Sequence, residues 1–186
     1  MKDFDIRLAI NADLQALCEL EKRAFFTDWI SLRSWRRMLI SPSATVIVAT
    51  SENIIVGSAV VLFRNSTSVS RIYSVAVSED FQHCGIGRAL ITYACLIANK
   101  KNHREVRLES RIDNASAHRL FRSLGFSPWG KPVAGYYADG TAACRFRFKL
   151  PVSQPVLNEK PMAIHHLPHR SEESDPGAAS FSRAHH

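Results

Sequence analysis

One segment constrains the fold more than any other, because in it a strand passes through a glycine-containing loop directly into a helix. The run Val-Ala-Val at 75–77 has the apolar, β-branched character of a strand, and the apolar spacing over 88–100 is that of a helix. Gly85 and Gly87 lie where the loop meets the helix. A strand that leads into a helix in this way is typical of α/β proteins, so an α/β fold is expected.

The remainder of residues 1–150 also alternates between strand and helix patterns. Asn11, Ser31 and Asn114 are predicted to precede helices, and Gly125 is predicted to end the last of them. This alternation favours a mixed sheet. The predicted order is βααβββαβαββ, with strands at 4–9, 44–50, 54–63, 69–77, 105–110, around Tyr136 and at 141–150, and with the later two helices at 88–100 and 114–124.

Composition divides the chain into one domain at 1–150 and a tail at 151–186. Five prolines punctuate the tail, which is rich in Ser, His and Ala, so the tail is predicted to be disordered. Five of the eight histidines lie there, and a weak metal site is the alternative interpretation of their spacing. The four cysteines are far apart and lack a CxxC pair, so they predict no metal site.

The distribution of charged and apolar residues limits the location and the partners. No run approaches the roughly 20 apolar residues of a membrane-spanning helix, and the first residues lack the layout of a secretory signal. We therefore expect a cytoplasmic protein with reduced thiols and no membrane partner. Residues 1–150 carry 21 Lys and Arg against 13 Asp and Glu, which favours an anionic partner such as a nucleic acid, an acidic peptide or a phosphorylated cofactor.

The loop that precedes the third helix has the features of a phosphate site. Gly85 and Gly87 let a ligand approach the backbone, and the first turn of the helix presents unpaired N–H groups. Arg88 is predicted to add a charged contact, and a tight turn without a ligand is the alternative. A P-loop or Rossmann site is not expected, because GxxxxGK is absent and Leu90 stands where GxGxxG requires its last glycine.

Several motifs together resemble one enzyme family. Gln82-x-x-Gly85-x-Gly87 after the Val-Ala-Val strand resembles the acetyl-CoA loop of the GNAT N-acetyltransferases. Residues 107–126 resemble the LEVR-x-x-N-x-x-A-x-x-LY-x-x-x-GF signature of the RimI-like branch, the ribosomal protein alanine N-acetyltransferases, and 135–140 is similar to the tyrosine-rich end of that branch. The resemblance covers residues 4–150 and implies a GNAT-type mixed, mostly antiparallel central sheet flanked by helices.

The resemblance also implies where the co-substrate acetyl-CoA is held. The strands at 69–77 and 105–110 are expected to diverge, with the pantetheine arm between them and paired with the backbone of the first strand. Main-chain N–H groups of the loop are expected to hold the pyrophosphate, and Asn114 is expected to contact the arm near the thioester. The implied cofactor-binding residues are Val75, Ala76, Val77, Gln82, His83, Cys84, Gly85, Ile86, Gly87, Arg88, Asn114 and Phe121.

Glu109 is the residue that the resemblance implies as general base, accepting the proton of the amine directly or through water. The alternative is that Glu109 only balances Arg107 and Arg111, which lie two residues to either side on the same face of the strand.

Phe121 stands where the family has a tyrosine that serves as general acid, and a phenyl ring cannot donate a proton. Tyr136, Tyr137 or water is therefore predicted to protonate the leaving thiolate. Packing or lining of the acceptor site is the alternative role for the two tyrosines.

These features predict an acetyl-CoA-dependent N-acetyltransferase whose acceptor is a protein or peptide N-terminal α-amine. An α-amine, with a pKa of about 7.7–8.0, is neutral far more often at pH 7 than a lysine, with a pKa of about 10.4. The acceptor is expected to contact residues 25–35 and 136–140. The alternatives are transfer to a small amine or a lysine, and a non-catalytic acyl-CoA sensor; direct nucleic-acid binding is not expected.

Overall fold

The computed structural model describes residues 3–25 and 28–151, so the tail predicted from residue 151 lies, apart from Pro151, outside the described residues. The order βααβββαβαββ is confirmed. The strands are β1 (Asp5–Leu8), β2 (Ala44–Ser51), β3 (Ile54–Leu62), β4 (Val69–Val77), β5 (Glu105–Arg111), β6 (Ser127–Pro128) and β7 (Ala143–Lys149), and the α-helices are α1 (Leu14–Ala24), α2 (Leu32–Ile40), α3 (Ile86–Lys100) and α4 (Ala115–Ser123).

The strands of the described residues form one sheet in the order β1-β2-β3-β4-β5-β7-β6. β4 and β5 are parallel and are joined through α3, whereas the other neighbouring strands are antiparallel. A parallel pair needs such a crossover, while β2 and β3 are joined by a short turn in which Glu52 and Asn53 have φ of 50° and 64°. The predicted mixed, mostly antiparallel sheet is confirmed.

Helices cover both faces of the central strands. α3 and α4 pack on one face, where Ile47, Leu90 and Phe146 belong to the buried core. α1 and α2 pack on the other face, where Trp35 and Val48 are buried. Ile47 and Val48 are consecutive in β2 and point to opposite faces, which explains why the central strands are continuous apolar runs.

Local capping signals explain the beginnings of two helices. The Ser34 N–H donates to the Ser31 hydroxyl at 3.2 Å, and the Ala117 N–H donates to the Asn114 side chain at 3.0 Å, as the sequence predicts. Gly125, with φ of 88°, follows the end of α4 in the left-handed conformation that favours glycine.

The prediction that Asn11 caps α1 is wrong. Asn11 begins a single 3₁₀ turn that precedes α1, and the residue directly before α1 is Asp13, whose side chain makes no capping hydrogen bond to α1. The Ile10 N–H donates to the Asp13 carboxylate at 2.8 Å, and Arg7 binds the same carboxylate at 2.7 Å. The 3₁₀ turn thus separates Asn11 from the first residue of α1, so Asn11 does not occupy the capping position of that helix.

The prediction of a strand around Tyr136 is also wrong. The tenth element is β6, and Tyr136 and Tyr137 lie in a loop where both N–H groups donate to the Thr141 carbonyl at 3.1 Å. Gly135 and Gly140, with φ of 61° and 82°, interrupt extended backbone on either side of the tyrosines. The tyrosine loop, residues 135–140, is therefore compact instead of paired in the sheet.

α3 begins at Ile86, two residues before the predicted start at Arg88. Gly85 precedes it with φ of 88° and turns the chain into the helix. Gly57 on β3 allows this end of α3 to pack close to the sheet, because a β-carbon there would lie 2.7 Å from Cγ2 of Ile86.

Gly57→Ala is expected to lower the free energy of unfolding by about 1–3 kcal/mol, because the added methyl group overlaps Ile86 in a packed core. Urea denaturation followed by circular dichroism measures the change. The double variant Gly57→Ala/Ile86→Leu removes Cγ2 at constant side-chain volume and is expected to recover part of the lost stability. Unchanged stability in the single variant would contradict this packing.

Candidate active site

β4 and β5 separate partway along their length. Their parallel pairing ends at Ile72 and Leu108. β4 continues to Val77 and β5 to Arg111, with no further pairing between them in the described part of the chain. The edge of β4 from Tyr73 onward therefore presents N–H and C=O groups that need another partner.

A β-bulge marks the point of separation. Ser74 pairs with Val60 of β3, and Ile72 pairs with the adjacent Val61, so Tyr73 is an extra residue in β4. A bulge bends its strand and increases the local twist, which turns the second half of β4 away from β5.

The gap between the diverging strands opens into a cavity of about 860 Å³ with walls from α1, β4, β5, α4 and the tyrosine loop. The sequence-predicted residues that line the cavity are Val75, Glu109, Asn114, Phe121, Tyr136 and Tyr137. Glu21 and Arg71 also line it and were not predicted as site residues, whereas Asp28, another lining residue, lies in the region 25–35 that is expected to contact the acceptor.

The loop between β4 and α3 has the backbone conformation of an anion site. His83 and Gly85 have φ of 62° and 88°, with the half-buried Cys84 between them, and α3 begins at Ile86. The first turn of α3 contains no acidic residue, and a β-carbon at Gly85 would meet no atom within 4 Å. The unpaired N–H groups at this positive end of the helix dipole therefore have space beside them for an anion.

The side chains of the loop contribute less than its backbone. Gln82 is exposed, and Gly87 lets α4 approach, because a β-carbon there would lie 3.3 Å from Cδ2 of Leu120. Arg88 donates from Nη2 to the Ser123 hydroxyl at 2.7 Å, so its guanidinium is bound to α4. On β4, the side chain of Ala76 is buried, and the side chains of Val75 and Val77 pack against the core. These three residues lie beyond the end of the β4–β5 pairing.

Glu109 belongs to a chain of polar contacts across the gap. Nε of Arg71 on β4 donates to Oε2 of Glu109 on β5 at 2.7 Å, and Nη2 of Arg71 donates to the Tyr136 hydroxyl. The Glu109 side chain is 16% exposed. One guanidinium thus bridges the two strands where their own pairing has ended.

Glu109 does not form ion pairs with Arg107 and Arg111, its neighbours on β5, which was the alternative role for this residue. Arg107 forms an ion pair with Glu105, and Arg111 forms ion pairs with Asp113 and Asp139. The partner of Glu109 comes from the adjacent strand, which the spacing along one strand cannot indicate.

The two tyrosines are protonated throughout the neutral pH range. Burial raises the pKa of Tyr137 to about 12, and burial also raises the pKa of Tyr136. Arg111 lies over the Tyr137 ring at 5.3 Å, and the Ala138 N–H donates to Asp28 at 3.2 Å. The tyrosine loop is thereby attached to β5 and to the segment between α1 and α2, so parts of the two regions expected to contact an acceptor, residues 25–35 and 136–140, lie in contact.

Phe121 and Asn114 form the α4 side of the cavity. Phe121 is 7% exposed, and its ring packs edge-on against Phe146 with centroids 5.3 Å apart. The side-chain oxygen of Asn114 is used in capping α4. Phe121 therefore presents an apolar surface to the cavity, where a tyrosine would present a hydroxyl.

Glu21 is the acid that sequence reasoning missed. Its position at helical spacing among apolar residues of α1 indicated a buried face but not a polar function. In the structure it is 1% exposed and accepts from the Ser74 hydroxyl at 3.3 Å. Burial raises its pKa to about 7, against the opposing effect of hydrogen bonds from the Ile30 N–H and Ser74.

In residues 3–25 and 28–151, no three His, Cys, Asp or Glu side chains come together in a group that could bind a metal ion. All four cysteines are unpaired thiols. No helix of this part of the chain is long and apolar enough to cross a membrane.

Comparison with known proteins agrees with this geometry. The family model for the acetyltransferase (GNAT) family matches residues 14–126. The N-alpha-acetyltransferase RimI of Mycobacterium tuberculosis is 32% identical over 140 residues, which are 73% of this chain and 86% of that protein. An N-alpha-acetyltransferase of Sulfurisphaera tokodaii is 42% identical over 74 residues, and this match spans only 43% of that protein.

Among solved structures, the ribosomal-protein-S18-alanine N-acetyltransferase of Escherichia coli superposes with a TM-score of 0.73 at 23% identity, covering 84% of this chain and 100% of that one. This likeness confirms the predicted fold class. The relatives also confirm the resemblance to the RimI-like branch. On the family match and on these relatives, the chain belongs to the GNAT family of acetyltransferases.

Proposed function

We propose that this chain transfers the acetyl group of acetyl-CoA to the α-amine at the N-terminus of a protein or peptide in the cytoplasm. The observation that carries the proposal is the unpaired edge of β4 beside Glu109, in a cavity that also reaches the tyrosine loop. Two relatives, an N-alpha-acetyltransferase and a ribosomal protein bS18-alanine N-acetyltransferase, support the same acceptor class.

The described residues fit acetyl-CoA, which supplies an activated acetyl thioester. The backbone of β4 at Val75 and Val77 offers the hydrogen bonds of a missing strand neighbour to the pantetheine arm. The N–H groups at the beginning of α3 suit a pyrophosphate, and there is open space at Gly85, where a β-carbon would meet no atom within 4 Å. Phe121 offers apolar contact to the arm, and Asn114 lies at the same end of the cavity wall.

Glu109 is suited to accept the proton that the amine loses as the new bond forms. Arg71 donates to Oε2 of Glu109, which fixes the carboxylate and leaves Oε1 for the amine or an intervening water. An amine held beside Glu109 lies close to the divergence of β4 and β5, where the thioester end of the arm would be held.

Tyr136 is suited to protonate the departing thiolate. Its hydroxyl accepts from Arg71, so its own proton remains available for donation. The raised pKa keeps that proton in place at neutral pH, and the ring is 39% exposed at the cavity. Tyr137 packs against Tyr136 with ring centroids 5.1 Å apart and is the second candidate for this role.

The α-amine is favoured over lysine because of its lower pKa, about 7.7–8.0 against about 10.4. One observation favours a second candidate function, that of a non-catalytic acyl-CoA sensor. Phe121 is buried against Phe146 and has no hydroxyl, so the tyrosine donor of the family is absent from its usual position.

The first test is incubation of the whole chain with acetyl-CoA and a panel of N-terminal peptides, lysine peptides and small amines, with products identified by mass spectrometry. We expect acetylated N-terminal peptides. Tight binding of acetyl-CoA with no product from any amine would favour the sensor and reject the proposal.

Glu109→Gln is expected to lower kcat/KM for the peptide by about 10²–10⁴-fold, the usual contribution of a general base. Glu105→Gln is the matched control, because Glu105 lies on the same strand and face, is also 16% exposed and is likewise paired with an arginine. The control is expected to keep near wild-type kcat/KM. Equal losses in the two variants would show that removal of an ion pair, and not of a base, is responsible.

Gly85→Asp is expected to weaken acetyl-CoA binding by at least about tenfold relative to Gly85→Asn, measured by isothermal titration calorimetry. Both residues tolerate the left-handed conformation at this position and differ mainly in charge, so their difference isolates repulsion of the pyrophosphate. High salt is expected to narrow the difference. Identical affinities would place the pyrophosphate away from this loop.

Phe121→Tyr is expected to raise kcat, because it adds a hydroxyl at the cavity wall without removing the packed ring. Stopped-flow measurement of thiol release checks this. A kcat equal to that of the wild type would mean that protonation of the thiolate does not limit the reaction.

A further inference from the structure

Glu21 is a buried carboxyl group with no cation beside it. It is 1% exposed and yet forms part of the cavity wall. Among the described residues it takes part in no ion pair, whereas two other acids of the cavity have arginine partners: Glu109 with Arg71, and Asp139 with Arg111. Burial of an unpaired carboxylate costs free energy, so the ionised form of Glu21 lowers the stability of the fold.

The contacts of Glu21 connect it to the unpaired edge of β4. The Ser74 hydroxyl lies 3.3 Å from both carboxylate oxygens, and the Ile30 N–H is a second neutral donor. Ser74 follows the bulge at Tyr73, in the part of β4 that has no partner on the β5 side. Ser74 is half-buried and lines the cavity, so its hydroxyl stands between Glu21 and the space where the acceptor and the thioester would meet.

A pKa of about 7 suits this carboxyl group for exchanging protons at neutral pH. The shift is set by burial and by the two hydrogen bonds, with burial the larger cause. β3, which also packs against α1, contains no titratable side chain. The titratable groups that share the cavity with Glu21 or lie near it on α1 and α2 are Cys18, Glu19, Lys22, Asp28, Arg36, Arg71, Tyr73, Glu109, Arg111, Tyr136, Tyr137 and Asp139.

The stoichiometry of the reaction leaves one proton without an acceptor. A protonated α-amine must lose two protons to become an amide N–H. The Glu109 carboxylate can hold only one of them. With a pKa of about 7.7–8.0, the α-amine is mostly protonated at pH 7, so the first of these losses precedes attack on the thioester.

We propose that Glu21 accepts that first proton through the Ser74 hydroxyl, an inference that rests on the proposed function. One N–H bond of the ammonium breaks and its electron pair stays on nitrogen. Ser74 takes this proton as it passes its own to Glu21, so the hydroxyl is unchanged and Glu21 becomes neutral. Glu109 then takes the second proton as the amide forms, and this proton replaces the one that Tyr136 gives to the departing thiolate, so both groups return to their starting states. Glu21 releases the first proton to solvent by the same path after the product leaves, which is the one proton that the overall reaction liberates.

The kinetic test compares kcat/KM from pH 6 to pH 9.5 in the wild type, Glu21→Gln and Ser74→Ala. At pH 7 both variants are expected to lose roughly five- to tenfold, which corresponds to the small neutral fraction of an amine with a pKa of about 7.7–8.0. At high pH the amine arrives neutral, so their activity is expected to approach that of the wild type. Glu19→Gln, on the exposed face of the same helix, is the control and is expected to follow the wild-type profile.

A spectroscopic readout separates proton transfer from a structural role and requires no turnover. The infrared difference spectrum between wild type and Glu21→Gln is expected to show the carbonyl band of the protonated Glu21 carboxyl group. This band is expected to disappear as the pH rises through about 7. A loss of activity of equal size at every pH, or no band that titrates near neutrality, would overturn the role of Glu21. Absence of acetylated product from the wild type would instead overturn the proposed function itself, whatever the infrared titration shows.

Discussion

The site depends on the separation of two parallel strands. β4 and β5 pair as far as Ile72 and Leu108, and the bulge at Tyr73 then turns β4 away. A sheet interior normally satisfies every backbone N–H and C=O group, so an edge inside the sheet is costly unless a ligand or a side chain supplies the missing partners. The free edge, the cavity and the position of α3 beyond it all follow from this single departure from regular pairing.

The charged groups of the cavity form two kinds of environment. Arg71 and Arg111 neutralise Glu109 and Asp139 on the β5 side and also hold the tyrosine loop in place. On the α1 side, Glu21 accepts hydrogen bonds from two neutral donors, the Ser74 hydroxyl and the Ile30 N–H, and pairs with no cation among the described residues. Burial raises the pKa of Glu21 to about 7, so the α1 wall carries a carboxyl group that is suited to exchange its proton near neutral pH.

Local signals made much of the fold and part of the site predictable. Asn114 was identified as a cap, and Gly125 as the end of α4, because each acts within a few residues of its own backbone. The strand around Tyr136 was predicted wrongly because glycines on both sides of the tyrosines bend the chain, and the cap at Asn11 was predicted wrongly because a 3₁₀ turn places Asp13 directly before α1. Both errors arise where the local backbone conformation differs from the one that the residue types favour.

The sequence by itself determined the α/β order, the glycine loop at the beginning of α3 and the residue types at 109, 121, 136 and 137, because these are properties of short stretches of chain. Only the tertiary structure decided that Arg71 binds Glu109 from the neighbouring strand and that Glu21 lies buried against Ser74. These pairs are separated by 38 and 53 positions along the chain. Their contacts depend on strand order, on the bulge and on the packing of α1 across the sheet, none of which is encoded in the spacing of any single segment.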